Sequence, residues 1–480
     1  VTSIRTLFTV REVADLIDGE LYFPSHGLAE GSDRDAPICS ANIDSRKCGA
    51  GSMFVPLSGR FADGHDFIED AVSRGATFVL VSTEFMRNSG YHVRQLADRL
   101  SFAYFVVPDV LECFQNLARY YLGKFSSITK IGITGSNGKT TTKEMLGAIL
   151  RLHSPTCVSQ GNYNSEIGLP LSIFELSAEH RYGVFEMAMN HRGEMELLSD
   201  ILRPDIGLIT NIGRAHIGLL GSQDRIAEEK KKIFSRYSGK ERAFLPEHDA
   251  YLEFLSRGIN GRVHLYGRFS TSGVTGVTDR GIDGSTLHWH GFDIHIPLPG
   301  EHNVLNALGA ISVALELGVP EEVIQHGLQG LTPQFGRSEV IRGPVTLIQD
   351  CYNANPDSVS QSISAIERME WRGRKILVLG AMMELGEQSE TLHREVGRDA
   401  AKARPHAIFL VGPEMEVAAG AVKDAGFGGD LFFAKTTDEL ADALRTYVQT
   451  GDLVLLKGSR SLGLETLTPV IRGERSSNRG

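Results

Sequence analysis

The run Ile131-Gly132-Ile133-Thr134-Gly135-Ser136-Asn137-Gly138-Lys139-Thr140-Thr141-Thr142 joins a β-branched strand end to a glycine-rich loop that closes on Lys-Thr. A helix is predicted after it, from Lys143 to Leu150. Such a loop aims backbone N–H groups and a helix N-terminus at one spot, which suits a triphosphate. Lys139 can reach the β- and γ-phosphates, and the Thr140 hydroxyl can hold Mg²⁺. The spacing departs from the strict phosphate-loop pattern: Ile133 stands where a glycine is wanted, and Gly132 lies one place early. The strand–loop–helix context favours phosphate binding over a plain turn.

Two polar residues follow further predicted strands. Glu186 ends Val184-Phe185-Glu186-Met187, and His216 follows Thr210-Asn211-Ile212-Gly213-Arg214-Ala215. A carboxylate inside an apolar strand is costly unless it is paired or on a metal. Mg²⁺ prefers oxygen ligands, so Glu186 suits it better than His216. A strand-end Glu with an Arg partner and a simple loop His is an equal alternative. Lys230 lies on a charged predicted helix, Asp224 to Tyr237, and by itself reads as part of a solvated face. Asn303 and Asn306, three apart at the start of a long predicted helix, share one face. They could read a purine edge or cap the helix. Lys457-Gly458-Ser459-Arg460 puts two cations and a hydroxyl at a predicted strand end, which suggests an anionic ligand.

The elements that must position these residues read as α/β. The 480 residues suggest about three domains on a prior of ~150 residues each. Residues 1–106 read as a small α/β unit. A helix is predicted at Val10–Ile17, strands at 53–57 and 77–81, and a helical segment at 66–73. Residues 107–334 begin with a helix at 110–121 and continue as strand–helix alternation around the phosphate loop, with strands at 183–187 and 205–210. Such alternation implies a mainly parallel sheet. Residues 261–298, alternating and His-rich, read as a β-hairpin insertion whose histidines (His288, His290, His295) sit on solvated faces. Residues 335–480 are predicted as a second doubly wound domain, with strands at 345–348, 375–379, 407–411, 431–433 and 453–456. Ligands are expected at their carboxyl ends. The polar tail from Arg472 to Gly480 is expected to be disordered.

Composition narrows the function classes. The chain is 41% hydrophobic and 22% charged, typical of a globular protein. No apolar run reaches the ~18 residues of a membrane span, and residues 1–10 show no signal-peptide pattern. Net charge is −10 without a basic stripe, which argues against nucleic acid as a partner. Cys39, Cys48, Cys113, Cys157 and Cys351 form no paired motif, so reduced thiols and a cytoplasmic location are expected.

Taken in order, these motifs resemble the Mur ligase family across nearly the whole chain. Its Thr-Gly-x-Asn-Gly-Lys-Thr loop is similar to Thr134–Thr140, and its Gly-Asn-x-Asn-Asn-x-Ile-Gly segment to Gly161–Gly168. The His-Asn-x-x-Asn-Ala helix is similar to 302–307. Tyr-Asn-Ala-Asn-Pro (352–356), Glu-Leu-Gly (384–386) and Lys-Gly-Ser-Arg (457–460) are similar to the branch that adds D-alanyl-D-alanine. Asp44-Ser45-Arg46 and Gly64-His65-Asp66-Phe67-Ile68 look like its uridine-nucleotide domain.

The resemblance implies a three-domain architecture: a small N-terminal α/β domain, a central P-loop ATPase-like parallel sheet and a C-terminal Rossmann-like domain. It implies ATP-driven amide formation through an acyl phosphate, with UDP-N-acetylmuramoyl-tripeptide and D-alanyl-D-alanine as substrates, and a monomer is expected. Lys139, Glu186, His216 and Lys230 are then catalytic, and Thr140, Glu186 and His216 hold Mg²⁺. Lys230 is the lysine expected to be carbamylated, a reaction that needs the neutral amine, about 0.04% of a free lysine at pH 7. ATP falls to Thr134, Gly135, Ser136, Asn137, Gly138, Lys139, Thr140, Thr141, Asn303, Arg337 and Asp350. The other substrates fall to Ser45, Arg46, Asn162, Asn164, Asn353, Asn355, Lys457, Ser459 and Arg460. Ser165, Lys232, Gln349 and Ala381 depart from residues frequent in that branch (Asn, Glu, Asp and Asp). Another ligase of the family, a folylpolyglutamate synthase-like ligase and a P-loop ATPase without ligase activity are the alternatives.

Overall fold

The structure is a computed structural model that describes residues 5–17, 19–25, 35–59 and 62–473. Of the tail expected to be disordered, Arg472 and Gly473 form an ordered turn closing the helix Thr468–Ile471, and 474–480 lie outside the described residues. The chain divides into two compact units. One comprises residues up to Lys130 with Cys157–Met187 and Leu197–Arg203; the other comprises Ile131–Thr156, Ala188–Glu196 and the chain from Pro204.

In the first unit, a five-stranded sheet runs in the order Glu20–Tyr22, Ala103–Val107, Ala76–Ser82, Ser52–Phe54, Ser40–Asn42. Only the edge strand Glu20–Tyr22 is antiparallel. Val79, Val81 and Tyr104 on one face bury against the helices Ile68–Ser73 and Thr83–Leu100 through Ile68, Ala71, Val93 and Leu96. The apolar run Thr77–Val81 is a strand buried on both faces, as β-branched residues in a parallel sheet should be. Val10–Leu16 is a helix closed by a Thr9–Glu12 capping box. Tyr182–Glu186, every residue of it buried, lies beside Thr156–Val158.

In the second unit, the strand Thr129–Thr134 leads into the phosphate loop. Beside it, in parallel, run Ile206–Ile209, Arg242–Pro246 and Arg262–Tyr266. Arg262–Tyr266 therefore does not belong to the expected hairpin insertion; it is the edge strand of the parallel sheet. The antiparallel insertion is smaller and has three strands, Val274–Asp279, Ser285–Trp289 and Phe292–Ile296. Period-2 alternation marks both kinds of strand alike, and only pairing separates them. In the insertion, His288 bonds Asp293 (2.6 Å) and Thr278 (2.8 Å), and His290 pairs with Glu321.

The last part of the chain forms a six-stranded sheet in the order Glu339–Ile341, Thr346–Asp350, Leu453–Lys457, Lys375–Gly380, Ala407–Val411, Asp430–Ala434. All are parallel except the first, an antiparallel edge that the alternation pattern did not reveal. Leu347, Val378, Phe409, Val454 and Leu456 build its core. In-register pairing puts Lys457 between Asp350 and Leu379 at the carboxyl edge.

Trp289 anchors the insertion: it is fully buried, and its indole N–H donates to the Ser272 carbonyl at 2.7 Å. Trp289→Ala is expected to destabilise this region by about 3–5 kcal/mol. The check is amide hydrogen exchange over residues 274–296. Protection unchanged from the parent chain would contradict the packing described.

Candidate active site

The phosphate loop spans Gly135–Gly138, between the strand Thr129–Thr134 and the helix Lys139–His153. The helix begins at Lys139, four residues earlier than periodicity suggested, because Gly138 takes a left-handed cap at φ +79°. No side chain caps this helix, so its first N–H groups face the loop's interior, where an anion belongs.

A second loop holds the first in shape. Ser136 N–H donates to the Asn211 carbonyl (3.0 Å), and Asn137 N–H donates to Asn211 Oδ1 (3.1 Å). Asn211 Nδ2 and the Thr210 hydroxyl both donate to the Asn137 carbonyl, and Gly213 N–H donates to Ser136 Oγ. Glycine is required here on steric grounds. A Cβ on Gly135 would fall 1.8 Å from Thr210 Oγ1, and one on Gly138 would fall 2.2 Å from Asn306 Oδ1. Lys139 curls over the loop, its Nζ donating to the Gly135 carbonyl at 2.8 Å. Thr140 is buried, and Thr141 is half-buried beside it. Thr134 is buried with its hydroxyl oxygen unpartnered.

Of the two asparagines on the helix Glu301–Glu316, Asn306 accepts from the Thr142 hydroxyl (3.3 Å) and abuts Gly138. Asn303 donates to the Pro299 carbonyl (2.9 Å) and accepts from Asn306 (3.3 Å). In this conformation both amides brace the loop and the helix start.

Lys230 overturns its default reading as a solvated residue. It sits on the buried face of Gln223–Lys231 at 1% exposure, with Nζ donating to the Gly135 carbonyl at 2.9 Å. Its neighbours fan away. Lys231 donates to the Phe254 and Arg257 carbonyls, and Lys232 pairs with Glu229 at 2.9 Å. Glu229, also buried, accepts from Gly193 and Met195 N–H. The sequence reading missed Glu229, Thr210 and Asn211 as supports for this site; Thr210 and Asn211 stand within the run quoted before His216, and Asn306, singled out there for a purine edge or a cap, braces the loop instead.

The last sheet's domain reaches the same loop. Asn355 caps the helix Pro356–Arg368 and donates from Nδ2 to Asn137 Oδ1 at 2.6 Å. Arg214 bridges Asp357 (2.9 Å) and Glu395 (2.7 Å), a bridge not anticipated from sequence. His216 Nδ1 bonds Glu384 Oε2 at 2.6 Å, and this bond holds the Glu384 carboxyl below its ordinary pKa. Gly218 N–H donates to the Glu384 carbonyl.

The remaining residues of this domain are already engaged. Lys457 is buried, bonded to Asp350 (2.8 Å) and to the Asn353 carbonyl (3.0 Å). Asp350 also accepts from Ser338 N–H and the Ser362 hydroxyl. Ser459 Oγ accepts from Met383 N–H, Arg460 pairs with Glu465 (2.7 Å), and Arg337 lies over the Tyr352 ring (4.1 Å). Lys457 therefore meets a carboxylate as the strand ends, and its charge is balanced within the protein.

In the first unit, Ser45 is buried and donates to Asp70 (2.7 Å), while exposed Arg46 makes a two-pronged contact to Asp44. That contact pulls the Asp44 carboxyl down to a pKa of about 2. A cavity of about 380 Å³ opens beside them, lined by Asn42, Asp44, Lys47, Gln160 and Tyr163 among others. Lys47 Nζ donates to the Tyr163 hydroxyl at 3.3 Å. Asn162 is exposed, and Asn164 donates to Glu186 at 2.8 Å. Glu186 is 3% exposed at the end of its strand, where its backbone N–H donates to Ser159 Oγ.

Comparison with known proteins places these features in one family. The Mur ligase family catalytic domain matches residues 38–105, the Mur ligase middle domain 133–314 and the Mur ligase glutamate ligase domain 336–460. The chain belongs to the Mur ligase family. Its fold is the three-domain Mur ligase architecture, with N-terminal, central ATP-binding and C-terminal domains. The UDP-N-acetylmuramoyl-tripeptide–D-alanyl-D-alanine ligase of Treponema pallidum (strain Nichols) is 40% identical over 472 residues, covering 98% of this chain and all of the relative. The crystal structure of MurF from Acinetobacter baumannii superposes with a TM-score of 0.85 at 29% identity, covering 97% of this chain and 99% of that one. The MurF ligase of Thermotoga maritima in complex with ADP gives a TM-score of 0.77 at 28% identity, covering 91% and 97%.

In this Mur ligase, Gly138→Ala meets both the left-handed backbone penalty and the Asn306 amide. ATP-analogue affinity is expected to fall by about 10-fold or more, as read by titration calorimetry. Unchanged affinity would contradict the loop geometry.

Proposed function

We propose that this chain joins D-alanyl-D-alanine to UDP-N-acetylmuramoyl-tripeptide, driven by ATP, and so makes the UDP-linked pentapeptide used in peptidoglycan synthesis. The observation that carries this reading is the end-to-end correspondence with a ligase of that name, at 40% identity over 98% of the chain. The geometry fits it. A loop of backbone amides with Lys139 and buried Lys230 at one carbonyl is built for phosphoryl groups.

Direct condensation of a carboxylate with an amine is uphill in water. Transfer of the γ-phosphoryl group to the tripeptide's terminal carboxylate forms a new P–O bond as the bond to ADP breaks. The acyl phosphate then has a good leaving group. The free amine of D-alanyl-D-alanine attacks the acyl carbon, phosphate departs and the amine's surplus proton passes to solvent. An α-amine pKa near 8 leaves a useful neutral fraction at pH 7, so no strong base is demanded. The protein's task is alignment and charge neutralisation more than covalent help. The loop amides and Lys139 hold the transferring group, and the Asn137–Asn355 bond brings the last domain to the loop.

Magnesium, when bound, neutralises the repulsion between the two anionic reactants. Thr140, Glu186 and His216 are the residues assigned to it. Such a cation is typically held by one or two carboxylates together with substrate phosphates. The His216 contact fits the role: a carboxylate on Nδ1 fixes the ring and leaves Nε2 for a metal. Lys230 carbamylation, in which the neutral amine adds to CO₂ and loses a proton, would turn a cation beside the loop into an anion. Its burial there supports that assignment.

The cavity beside Asp44, Ser45 and Arg46 is assigned to the uridine nucleotide, and Asn303, Arg337 and Asp350 to ATP. Asn162, Asn164, Asn353, Asn355, Lys457, Ser459 and Arg460 complete the substrate set. Domain boundaries at 1–106, 107–334 and 335–480 belong to the same reading, and each of the three family matches, 38–105, 133–314 and 336–460, lies within one of these spans. A cytoplasmic monomer using reduced cysteines belongs to the same reading; no disulfide joins the described cysteines.

Two measurements test this. Phosphate release should require both UDP-linked tripeptide and D-alanyl-D-alanine, with a product mass equal to their sum less water; release independent of the dipeptide would favour a plain ATPase. Lys230→Ala should abolish turnover beyond rescue by bicarbonate, with partial rescue by a short-chain carboxylate. Full activity of the variant would refute the role.

A further inference from the structure

The last domain carries a second cavity, at the edge opposite its ligand-bearing strand ends. It measures about 930 Å³. Its walls come from residues at the amino ends of three neighbouring strands: Arg374 before Lys375–Gly380, His406 before Ala407–Val411 and the turn Gly426–Gly429 before Asp430–Ala434. Lys457 and Asp350 lie at the carboxyl ends, one strand length away, on the order of 17 Å. The cavity is thus separate from the site described above.

Its lining is cationic in a chain whose net charge is −10. Arg398, Lys402 and Arg404 are exposed, and among the described residues none of them forms an ion pair. Arg374 is held by Asp452 (2.9 and 2.7 Å) and lies over Tyr447 at 4.7 Å. His406 is fixed through Nδ1, which accepts from Lys375 N–H at 3.1 Å. Its hydrogen therefore resides on Nε2, an outward donor. Asp430 is the one carboxylate in the lining, and the Tyr447 hydroxyl donates to it at 2.7 Å.

A solvated helix end is the ordinary explanation for such cations. The dipole of Ser389–Lys402 favours positive charge at its C-terminus, which accounts for part of the placement of Lys402 and Arg404. It does not account for Arg398, Arg374 and His406 converging on the same cavity. Nor does it explain why Arg404 fills the left-handed slot after the helix, at φ +49°, where glycine is usual and a side chain is strained.

We infer that this groove binds a small polyphosphate-bearing ligand, its arginine forks and histidine donor gripping successive phosphoryl groups. Arginine matches phosphate oxygens in paired geometry. The volume exceeds what a single phosphate fills and suits a ligand of nucleotide size. The chain is acidic overall, at net charge −10, which disfavours a nucleic-acid strand that must track positive charge over a longer path.

The test uses the full chain carrying Lys139→Ala, in EDTA, so that the phosphate loop's own cation does not contribute. Inorganic tripolyphosphate titrated calorimetrically at 0.15 M salt is expected to bind one-to-one, with orthophosphate weaker by about 10-fold or more. Adding Arg398→Glu and Arg404→Glu should weaken tripolyphosphate by about 100-fold, the scale of two lost charge-assisted hydrogen bonds. Should that variant fold poorly, hydrogen exchange on the chain with only Lys139→Ala decides: tripolyphosphate should slow the amides of residues 426–430. Absence of binding, binding unmoved by the two reversals, or unprotected 426–430 amides would overturn the inference. Tighter binding of a 20-nucleotide single strand than of tripolyphosphate would overturn the ligand class.

Discussion

Backbone N–H groups can neutralise a triphosphate only if they are held apart from their own carbonyls and aimed inward, and that arrangement is unstable unless something else fills the outward side of the loop. Here Asn211 does so. It takes two loop N–H groups and returns one amide donor to the Asn137 carbonyl, while the Thr210 hydroxyl reaches the same oxygen. Asn306 closes the other side. Contact is so close that Gly135 and Gly138 have no room for a Cβ. The loop is therefore preorganised by polar groups that would be costly to bury unpaired. The helix Lys139–His153 then adds its uncapped N-terminus at no further conformational expense.

The other parts of the second unit converge on that loop. Lys139 and Lys230 both donate to the Gly135 carbonyl, so two ammonium groups share one backbone oxygen. From the last domain come Asn355 to Asn137, Asp357 and Glu395 to Arg214, and Glu384 to His216. Each is a directional polar contact rather than an apolar seam.

Local pattern and tertiary context divide the information unevenly. The buried strands 76–82 and 407–411, the helix after the phosphate loop and the doubly wound last domain follow from runs of β-branched residues punctuated by glycine, because a parallel sheet buries both faces and marks its strands as continuous apolar segments. Arg262–Tyr266 did not follow. Its alternation fits an antiparallel hairpin equally well, and only its pairing with Arg242–Pro246 assigns it to the parallel sheet. The helix start at Lys139 was likewise hidden, since a left-handed cap is a property of backbone geometry that Gly-Lys-Thr allows without compelling.

The residue types that do chemistry, their order along the chain and the α/β class were set by amino-acid identity, because charge, hydroxyl chemistry and glycine's freedom belong to single residues. Whether a given lysine is solvent or site was settled only by folding. Lys230 stands in a run of three lysines on a charged helix, indistinguishable by type from its neighbours. Helical rotation turns it inward to the Gly135 carbonyl and sends Lys231 out to the Phe254 carbonyl. Lys457 is the converse: a strand-end cation that looks available to an anion meets Asp350 across the in-register pair beside it. Both outcomes depend on which segments lie adjacent in space, and a free charge differs from a paired one only through that adjacency.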